Sequence, residues 1–333
     1  ASDVYKRQEE NAPEGYAYAE DITFTVEKNG TVTVDGKDVN GTVVMKDDVA
    51  KVTISKQDLT SGEEVPGATL QILDKDGKVV EEWTSTDQPH TVQEKLTAGE
   101  TYILKETNAP DGYGYAEEIS FTVEKSGKIT VNGEEVNGQV VMKDDVTKVS
   151  ISKKTLTGSD ELAGAELKLY EVTENEQGET VETEVDAWTS GTEAHVINGK
   201  LTAGGTYKLV EITAPDGYLT AEDVTFTVSE DGSVDEVVMQ DEKTQAEISK
   251  QDISGKEIGG AHLTVTYTAK DGKTYTLDSW VSEEGKSHTI TGLQVGTIYT
   301  LQEKQAPDGY ELAESIDFLF DENGVLNLVT YQK

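Results

Sequence analysis

Three lysines recur at a fixed interval, at places where a β-strand ordinarily carries an apolar side chain. They are Lys56, Lys153 and Lys250, each ending an Ile-Ser-Lys sequence, with 97 residues from 56 to 153 and from 153 to 250. Alternate side chains of a strand share one face, so Lys56 continues the inward-facing row formed by Val52 and Ile54. That position is unusual for a charged side chain and is the first indication of function.

Carboxylic acids end two further inward rows, in which Glu106 follows Leu104 and Asp144 follows Met142. Burial lowers the pKa of an unpaired lysine and raises that of a carboxylic acid, which favours a neutral amine beside neutral acids. The amine can then attack the Asp carbonyl, while a protonated Glu polarises that carbonyl and moves protons as water leaves. The amide product is uncharged, so it costs less to bury than the charged reactants.

Two simpler interpretations of these residues stay open. A long side chain can carry a strand-end charge out to the surface, and a buried lysine can form an ordinary salt bridge with a carboxylate. Inward-facing polar positions of three kinds, recurring at fixed spacing along the chain, favour the reaction over both alternatives.

An internal repeat must position these residues. The sequence GYAYAEDITFTVEK at Gly15 returns from Gly112 as GYGYAEEISFTVEK. Each repeat is a series of short segments rich in Val, Ile, Thr and Tyr, separated by turn signals such as Asn132-Gly133. About seven strands per repeat indicate an all-β fold, a tandem array of Ig-like β-sandwich domains. The predicted boundaries are 9–48 for the C-terminal part of one repeat, then 49–146, 147–243 and 244–333.

Three sequence motifs resemble a known family. The sequences YILKETNAPDGY (102–113), YKLVEITAPDGY (207–218) and YTLQEKQAPDGY (299–310) are similar to the E-box of CnaB-type, or SpaA-like, prealbumin-like domains of Gram-positive adhesins and pilins. PGATL at Pro66 resembles the second strand of that family, and VVMKD, ending at Asp144, resembles its last strand. The resemblance covers nearly all of residues 9–333.

This resemblance implies a spontaneous isopeptide bond between a first-strand lysine and a last-strand Asp or Asn, assisted by a buried Glu. Carried over to this chain, it pairs Lys56 with Asp144, assisted by Glu106. In the next repeat it pairs Lys153 with Asp241, assisted by Glu211. Both pairs are 88 residues apart, from 56 to 144 and from 153 to 241. Each domain would react once upon itself, so the resemblance implies no enzyme with turnover.

The two ends of the chain depart from the family pattern. The first repeat keeps Glu9 and Asp47 but has no lysine, so we expect neither to react. In the last repeat Lys250 and Glu303 are present, but Lys333 occupies the acceptor position. Either the domain is truncated at its C-terminus and its acceptor lies just beyond residue 333, or the domain is not cross-linked, and we expect no bond from Lys250 here. Residues 1–8 contain DVYKRQ, which reads as an in-frame translation of the transposon end used to prepare sequencing libraries, so we expect them to be non-native.

Composition excludes several classes of partner. The formal net charge is −37, which opposes binding to nucleic acid or to an anionic membrane surface, and no apolar run is long enough to cross a membrane. The absence of cysteine excludes disulfides and thiolate metal sites. Each of the last three repeats has a histidine and a tryptophan at equivalent places, but these residues lack metal-ligand spacing. We therefore expect no metal and no cofactor. The residues concerned are His90, His195 and His288, and Trp83, Trp188 and Trp280.

These observations favour a structural protein, the stalk of a Gram-positive surface adhesin or pilus component. Such a stalk would be extracellular and anchored to the cell wall through flanking regions. The alternative is a ligand-binding adhesin module, in which one repeat contacts a host glycan or an extracellular-matrix protein. The absence of any Gly-, Pro- or Ser-rich spacer between repeats predicts stiff joints and favours the stalk.

Overall fold

The computed structural model describes residues 2–321 and 323–330, and within these ranges every regular element is a β-strand. The part of the chain up to residue 48 contains β1 (Asp3–Arg7), β2 (Ile22–Val26), β3 (Val32–Val34) and β4 (Lys37–Asp38). The next repeat contains β5 (Lys51–Asp58), β6 (Thr69–Leu73), β7 (Val79–Thr84), β8 (His90–Gln93), β9 (Thr101–Asn108), β10 (Ile119–Val123), β11 (Ile129–Val131), β12 (Glu134–Glu135) and β13 (Gln139–Asp144).

The remaining strands follow the same order along the chain. The third repeat contains β14 (Lys148–Thr155), β15 (Glu166–Glu174), β16 (Thr180–Thr189), β17 (His195–Asn198), β18 (Thr206–Thr213), β19 (Val224–Thr227) and β20 (Val237–Asp241). The last contains β21 (Gln245–Ile248), β22 (His262–Thr268), β23 (Thr274–Val281), β24 (His288–Thr291), β25 (Tyr299–Gln305), β26 (Ile316–Phe320) and β27 (Leu326–Leu328). The predicted all-β tandem sandwich is confirmed.

The repeat at 49–146 is a sandwich of two sheets. One sheet has the strand order β12-β11-β10-β9-β6-β7, and the other has the order β13-β5-β8. Every pairing is antiparallel except that of the first and last strands, β5 and β13, which run parallel. The two chain ends of the repeat therefore lie side by side in the smaller sheet.

The alternation of the strands explains which side chains enter the core of this repeat. On β5, Val52, Ile54 and Lys56 are buried, and on β9 Leu104 and Glu106 are buried. The core between the sheets is apolar apart from a few polar side chains. Its buried residues include Leu70, Ile72, Val92, Leu96, Phe121, Val123, Ile129, Val140 and Met142.

The chain divides into two compact units. The first runs to Lys148 and also includes Ile197–Gly205 and Val228–Ser233, and the second comprises Val149–Val196, Thr206–Thr227 and the chain from Val234 onward. Within the second unit, β16-β15-β18-β19 form one sheet, β14 pairs in parallel with β20, and β23-β22-β25-β26-β27 form another sheet.

Strand β1 contains most of the segment that the sequence predicts to be non-native. It pairs with β2 so that Tyr5 lies opposite Phe24, as Tyr102 of β9 lies opposite Phe121 of β10. All five residues of β1 are exposed, so the segment occupies an edge of its sheet and adds little to a core. The origin of residues 1–8 and the domain boundaries stay predictions.

Candidate functional site

Lys56, Glu106 and Asp144 meet in the core of the repeat at 49–146. Lys56 on β5 lies opposite Met142 on the parallel strand β13. Asp144 follows Met142 by two residues on β13, so the side chains of Lys56 and Asp144 point to the same face of the sheet. Glu106 reaches them from β9 in the facing sheet. The lysine Nζ forms an ion pair with Asp144 Oδ1 and lies 3.0 Å from Glu106 Oε1. Lys56 and Asp144 are each 1% exposed and Glu106 is 5% exposed, so all three are removed from water.

The electrostatics of this cluster shift Asp144 toward its uncharged form. Burial, with a smaller contribution from the neighbouring Glu106, raises the pKa of Asp144 to about 6 against the opposing effect of the Lys56 ammonium. Asp144 Oδ2 is buried and accepts no hydrogen bond, and the buried Glu106 Oε1 is held by the ion pair to Lys56 Nζ. A buried acceptor without a donor is costly, so a proton held on one of the two carboxyls would be stabilised by the other. A neutral Asp is the electrophile that an attacking amine requires.

The next repeat reproduces the cluster with Lys153, Glu211 and Asp241. Lys153 on β14 forms an ion pair with Asp241 at the end of β20, and its Nζ lies 2.8 Å from Glu211 Oε1. All three are buried, at 2%, 5% and 1% exposure. Burial, with a smaller contribution from Glu211, raises the pKa of Asp241 to about 6 against the opposing effect of Lys153. The predicted residues are therefore brought together twice, with the same geometry.

The glutamate of each cluster is oriented by a backbone amide ten residues further along the chain. Glu106 Oε2 accepts a hydrogen bond of 2.8 Å from the amide of Ala116, and Glu211 Oε2 accepts one of 2.7 Å from Ala221. This bond fixes one oxygen and leaves Oε1 directed at the lysine. Glu303 makes the same contact.

A second glutamate supports the lysine strand, and the sequence analysis missed it. The backbone amide of Lys56 donates to Glu64 Oε2 at 3.0 Å, and that of Lys153 donates to Glu161 Oε2 at 2.9 Å. Ser55 also donates its hydroxyl to Glu64. The available signal was a glutamate eight residues after each of these lysines.

The last repeat has only part of the cluster. Lys250 Nζ lies 3.3 Å from Glu303 Oε1, but its side chain is 16% exposed and lies beyond the end of β21. Within residues 2–321 and 323–330, Glu303 is the only carboxylate that forms an ion pair with Lys250. The predicted acceptor position, Lys333, lies outside the described residues.

The first repeat retains two candidates but does not bring them into a cluster. Glu9 Oε2 accepts a hydrogen bond of 2.7 Å from the amide of Ala19, which matches the contact made by Glu106. Asp47 is half-buried, and no cation in the described part of the chain forms an ion pair with it. Neither residue has a lysine partner among the described residues, and the expectation that neither reacts stays a prediction.

Histidine and tryptophan pack together in each complete repeat. The ring centroids lie 4.5 Å apart for Trp83 and His90, and the two other repeats have the same stacked pair. Trp83 is half-buried against the core. The described residues hold no group of three or more potential metal ligands.

Comparison with known proteins identifies a family model that covers most of the chain. The SpaA model, described as a prealbumin-like fold domain, matches residues 50–137, 147–243 and 244–333. No curated protein matches the chain.

Several solved structures are similar over part or all of the chain. The Bacillus anthracis TIE protein is 21% identical over 93% of this chain, with a TM-score of 0.37. The pilus adhesin SpaC from Lactobacillus rhamnosus GG is 15% identical over 94%, also with a TM-score of 0.37. The shaft pilin SpaA from the same organism is 15% identical over 58% of this chain and 97% of its own, with a TM-score of 0.26. This chain spans 59% of the TIE chain and 43% of SpaC.

Proposed function

The chain belongs to the SpaA family of prealbumin-like fold domains, and on that basis we propose that it is a stalk segment of a Gram-positive surface adhesin or pilus. In this proposal the repeats 49–146 and 147–243 are each locked by one isopeptide bond, Lys56 to Asp144 and Lys153 to Asp241. The segment has a mechanical role, and each repeat reacts once with itself.

One observation carries this proposal. Two buried clusters place an amine against the carboxyl of an Asp 88 residues away, with a Glu at 3.0 Å in one repeat and 2.8 Å in the other. An ordinary buried salt bridge would need hydrogen bonds to every charged oxygen to offset its desolvation. Here Asp144 Oδ2 has none, and Glu106 Oε1 has only the Lys56 ammonium that it shares with Asp144, which favours groups that are reactants over groups that stay charged.

The reaction balances as a condensation. The neutral Lys56 Nζ attacks Cγ of the protonated Asp144, while protonated Glu106 donates a hydrogen bond to the carbonyl oxygen and stabilises the charge that develops there. Glu106 gives its proton to the departing hydroxyl and takes one back from the nitrogen, so it ends the step protonated as it began. The C–N amide bond forms, the C–O bond breaks and one water leaves. The Ala116 amide holds Glu106 in position throughout.

A bond at this place would carry tension past the fold. Pulling on a repeat loads its first and last strands, and β5 and β13 are the strands that the Lys56–Asp144 bond would join. The 88 residues between the bonded side chains could not then be extended. At roughly 3.3–3.6 Å per residue, the bond would prevent about 300 Å of chain in each repeat from being extended under force.

The stalk would lie outside the cell and would be attached to the cell wall through regions beyond this chain. No helix among the described residues is long and apolar enough to cross a membrane. If the segment is a stalk, a single repeat should bind neither host glycans nor matrix proteins. Saturable binding by one repeat would instead make that repeat a receptor module.

Intact mass spectrometry tests the proposal. The purified chain should be lighter than its sequence mass by two molecules of water, and Asp144→Ala or Asp241→Ala should each restore one. Glu106→Ala should also restore one, although it leaves both bonding residues in place, because the proton carrier is lost. An intact mass equal to the sequence mass would contradict the mechanism.

A further inference from the structure

The Pro-Asp-Gly-Tyr turn after the E-box strand contacts the repeat that follows it. The carbonyl of Gly112 accepts a hydrogen bond of 2.9 Å from the amide of Thr147, and the carbonyl of Gly217 accepts one of 3.0 Å from Thr244. In the Pro-Glu-Gly-Tyr turn of the first repeat, Gly15 accepts one of 2.8 Å from Ala50. Each of these three junctions lies inside a single compact unit.

A loop of the following repeat closes the same junction. Thr244 accepts a hydrogen bond of 3.0 Å at its backbone carbonyl from the amide of Gly292, and Thr147 accepts one of 2.9 Å from Gly199. The threonine residue is therefore bonded on one side to the turn of the preceding repeat and on the other side to a loop of its own repeat.

The threonine side chain adds a further bond at two of the junctions. Thr244 Oγ1 lies 2.7 Å from the carbonyl oxygen of Leu293 and 3.1 Å from that of Gly217. A hydroxyl has one proton, so the shorter contact to Leu293 takes it. Thr147 makes the equivalent contacts, and both threonines are buried, at 0% and 1% exposure. Ala50, with 0% exposure, has no hydroxyl at this place.

Close packing at the junction requires the glycine of the turn. A Cβ at Gly217 would lie 2.8 Å from Gly292 Cα, and one at Gly112 would lie 2.5 Å from the carbonyl oxygen of Gly199. Gly309 belongs to the same motif in the last repeat, and a Cβ there would meet no atom of the described residues within 4 Å. The backbone φ angles are +86° at Gly217 and +87° at Gly309. The two glycines therefore differ in their neighbours and not in their conformation.

We propose that the Pro-Asp-Gly-Tyr turn is a docking surface for the next repeat of this chain. It receives the buried threonine and the glycine loop of that repeat through backbone hydrogen bonds. The docked partner is a second domain of the same kind, and the junction is ordered by hydrogen bonds and packing with no covalent cross-link between the side chains. This role is separate from the isopeptide chemistry, because neither Lys153 nor Asp241 takes part in the contact.

Hydrogen exchange of the full chain, resolved to single amides by NMR, tests this proposal. In Gly217→Ala, the Thr244 and Gly292 amides should exchange about tenfold faster or more, since each loses a hydrogen bond. Gly309→Ala, which has the same left-handed φ and no neighbour, should leave these two amides unchanged. Equal effects of the two variants on Thr244 and Gly292, or no protection of these amides in the unsubstituted chain, would overturn the proposal.

Two threonine variants keep the test decisive if Gly217→Ala unfolds the repeat. Thr244→Val preserves the side-chain shape and removes the hydroxyl, so exchange at Thr244 and Gly292 should accelerate while the rest of the repeat keeps its protection. Ala50→Thr should slow exchange at the first junction by adding the hydroxyl that Thr147 and Thr244 supply. If neither variant changes exchange at its own junction, the docking role is wrong. Each variant should still be lighter than its own sequence mass by two waters, which separates this result from failure of the isopeptide bond.

Discussion

Replacing Lys56 by methionine should measure how much the cross-link contributes to stability. Methionine is unbranched and apolar, so it fills a similar space without an ammonium group. The bond from Lys56 to Asp144 would close a loop of 88 residues. By the loop-entropy relation used for disulfides, a cross-link over that length stabilises the folded state by about 4–5 kcal/mol. That is comparable to the whole stability of a small domain.

The pH of the measurement decides whether the loop effect can be isolated. Before any reaction, the pKa of Asp144 is about 6, above its ordinary value of 3.8. Lys56 lowers that pKa, so its removal should raise it further. The folded state then holds a proton that the unfolded state has released, and stability is greatest below about pH 4 and falls as pH rises through 6. At pH 5 Asp144 stays mostly neutral in the folded variant, which limits the added cost of a buried charge.

The assay uses tryptophan fluorescence during denaturant unfolding. The chain has three tryptophans, one in each complete repeat, so a background with Trp188→Phe and Trp280→Phe reports on the repeat 49–146 through Trp83. Lys56→Met should lower the unfolding free energy of that repeat by about 4–5 kcal/mol and restore one water to the intact mass.

Two matched variants act as controls for this measurement. Lys153→Met removes a bond over the same 88 residues, so it should destabilise its own repeat by a similar amount when Trp188 is the reporter. Lys250→Met, reported by Trp280, should restore no water and should change stability little, since its lysine is partly exposed and has no described acceptor. If Lys56→Met restores the water but changes stability by less than about 1 kcal/mol, the loop-entropy reasoning is refuted.

Three further outcomes are expected. Lys56→Met should lose stability as pH is raised from 5 to 8, and a pH-independent midpoint would show that Asp144 is not a buried neutral acid in that variant. Glu64→Ala should destabilise the repeat 49–146 by about 1–3 kcal/mol, because the Lys56 amide loses its acceptor. This variant should still be lighter than its own sequence mass by two waters, and a restored water would mean that Glu64 is needed for the reaction. The repeat 244–333 should be cleaved first by protease on heating, because its lysine is not bonded; simultaneous cleavage of all three repeats would contradict this.

The position of the cluster could be predicted from the sequence because it depends on a local rule. Alternation along a strand places Lys56, Glu106 and Asp144 on inward faces, and all three are buried in the structure. Alternation does not give the distance between strands. The family resemblance implied that Lys56 and Asp144 meet, but their convergence depends on the parallel pairing of β5 with β13, which no single segment encodes.

Contacts made by backbone atoms were beyond the sequence analysis. The motif around Gly217 and that around Gly309 are both Pro-Asp-Gly-Tyr, yet among the described residues a loop lies against Gly217 and none lies against Gly309. The same limit applies to Glu64, whose partners are the Lys56 amide and a serine hydroxyl. Such contacts produce no periodic pattern of apolar residues in the sequence, so only the recurrence of the same residues between repeats could have indicated them.

Peptide mapping by tandem mass spectrometry tests the central claim most directly. A protease digest of the unsubstituted chain should contain a branched peptide in which the Lys56 segment is joined to the Asp144 segment, lighter by one water than the two peptides together. A second branched peptide should join Lys153 to Asp241, and Lys250 should appear only in a linear peptide. Recovery of Lys56, Asp144, Lys153 and Asp241 in linear, unmodified peptides alone would contradict the account.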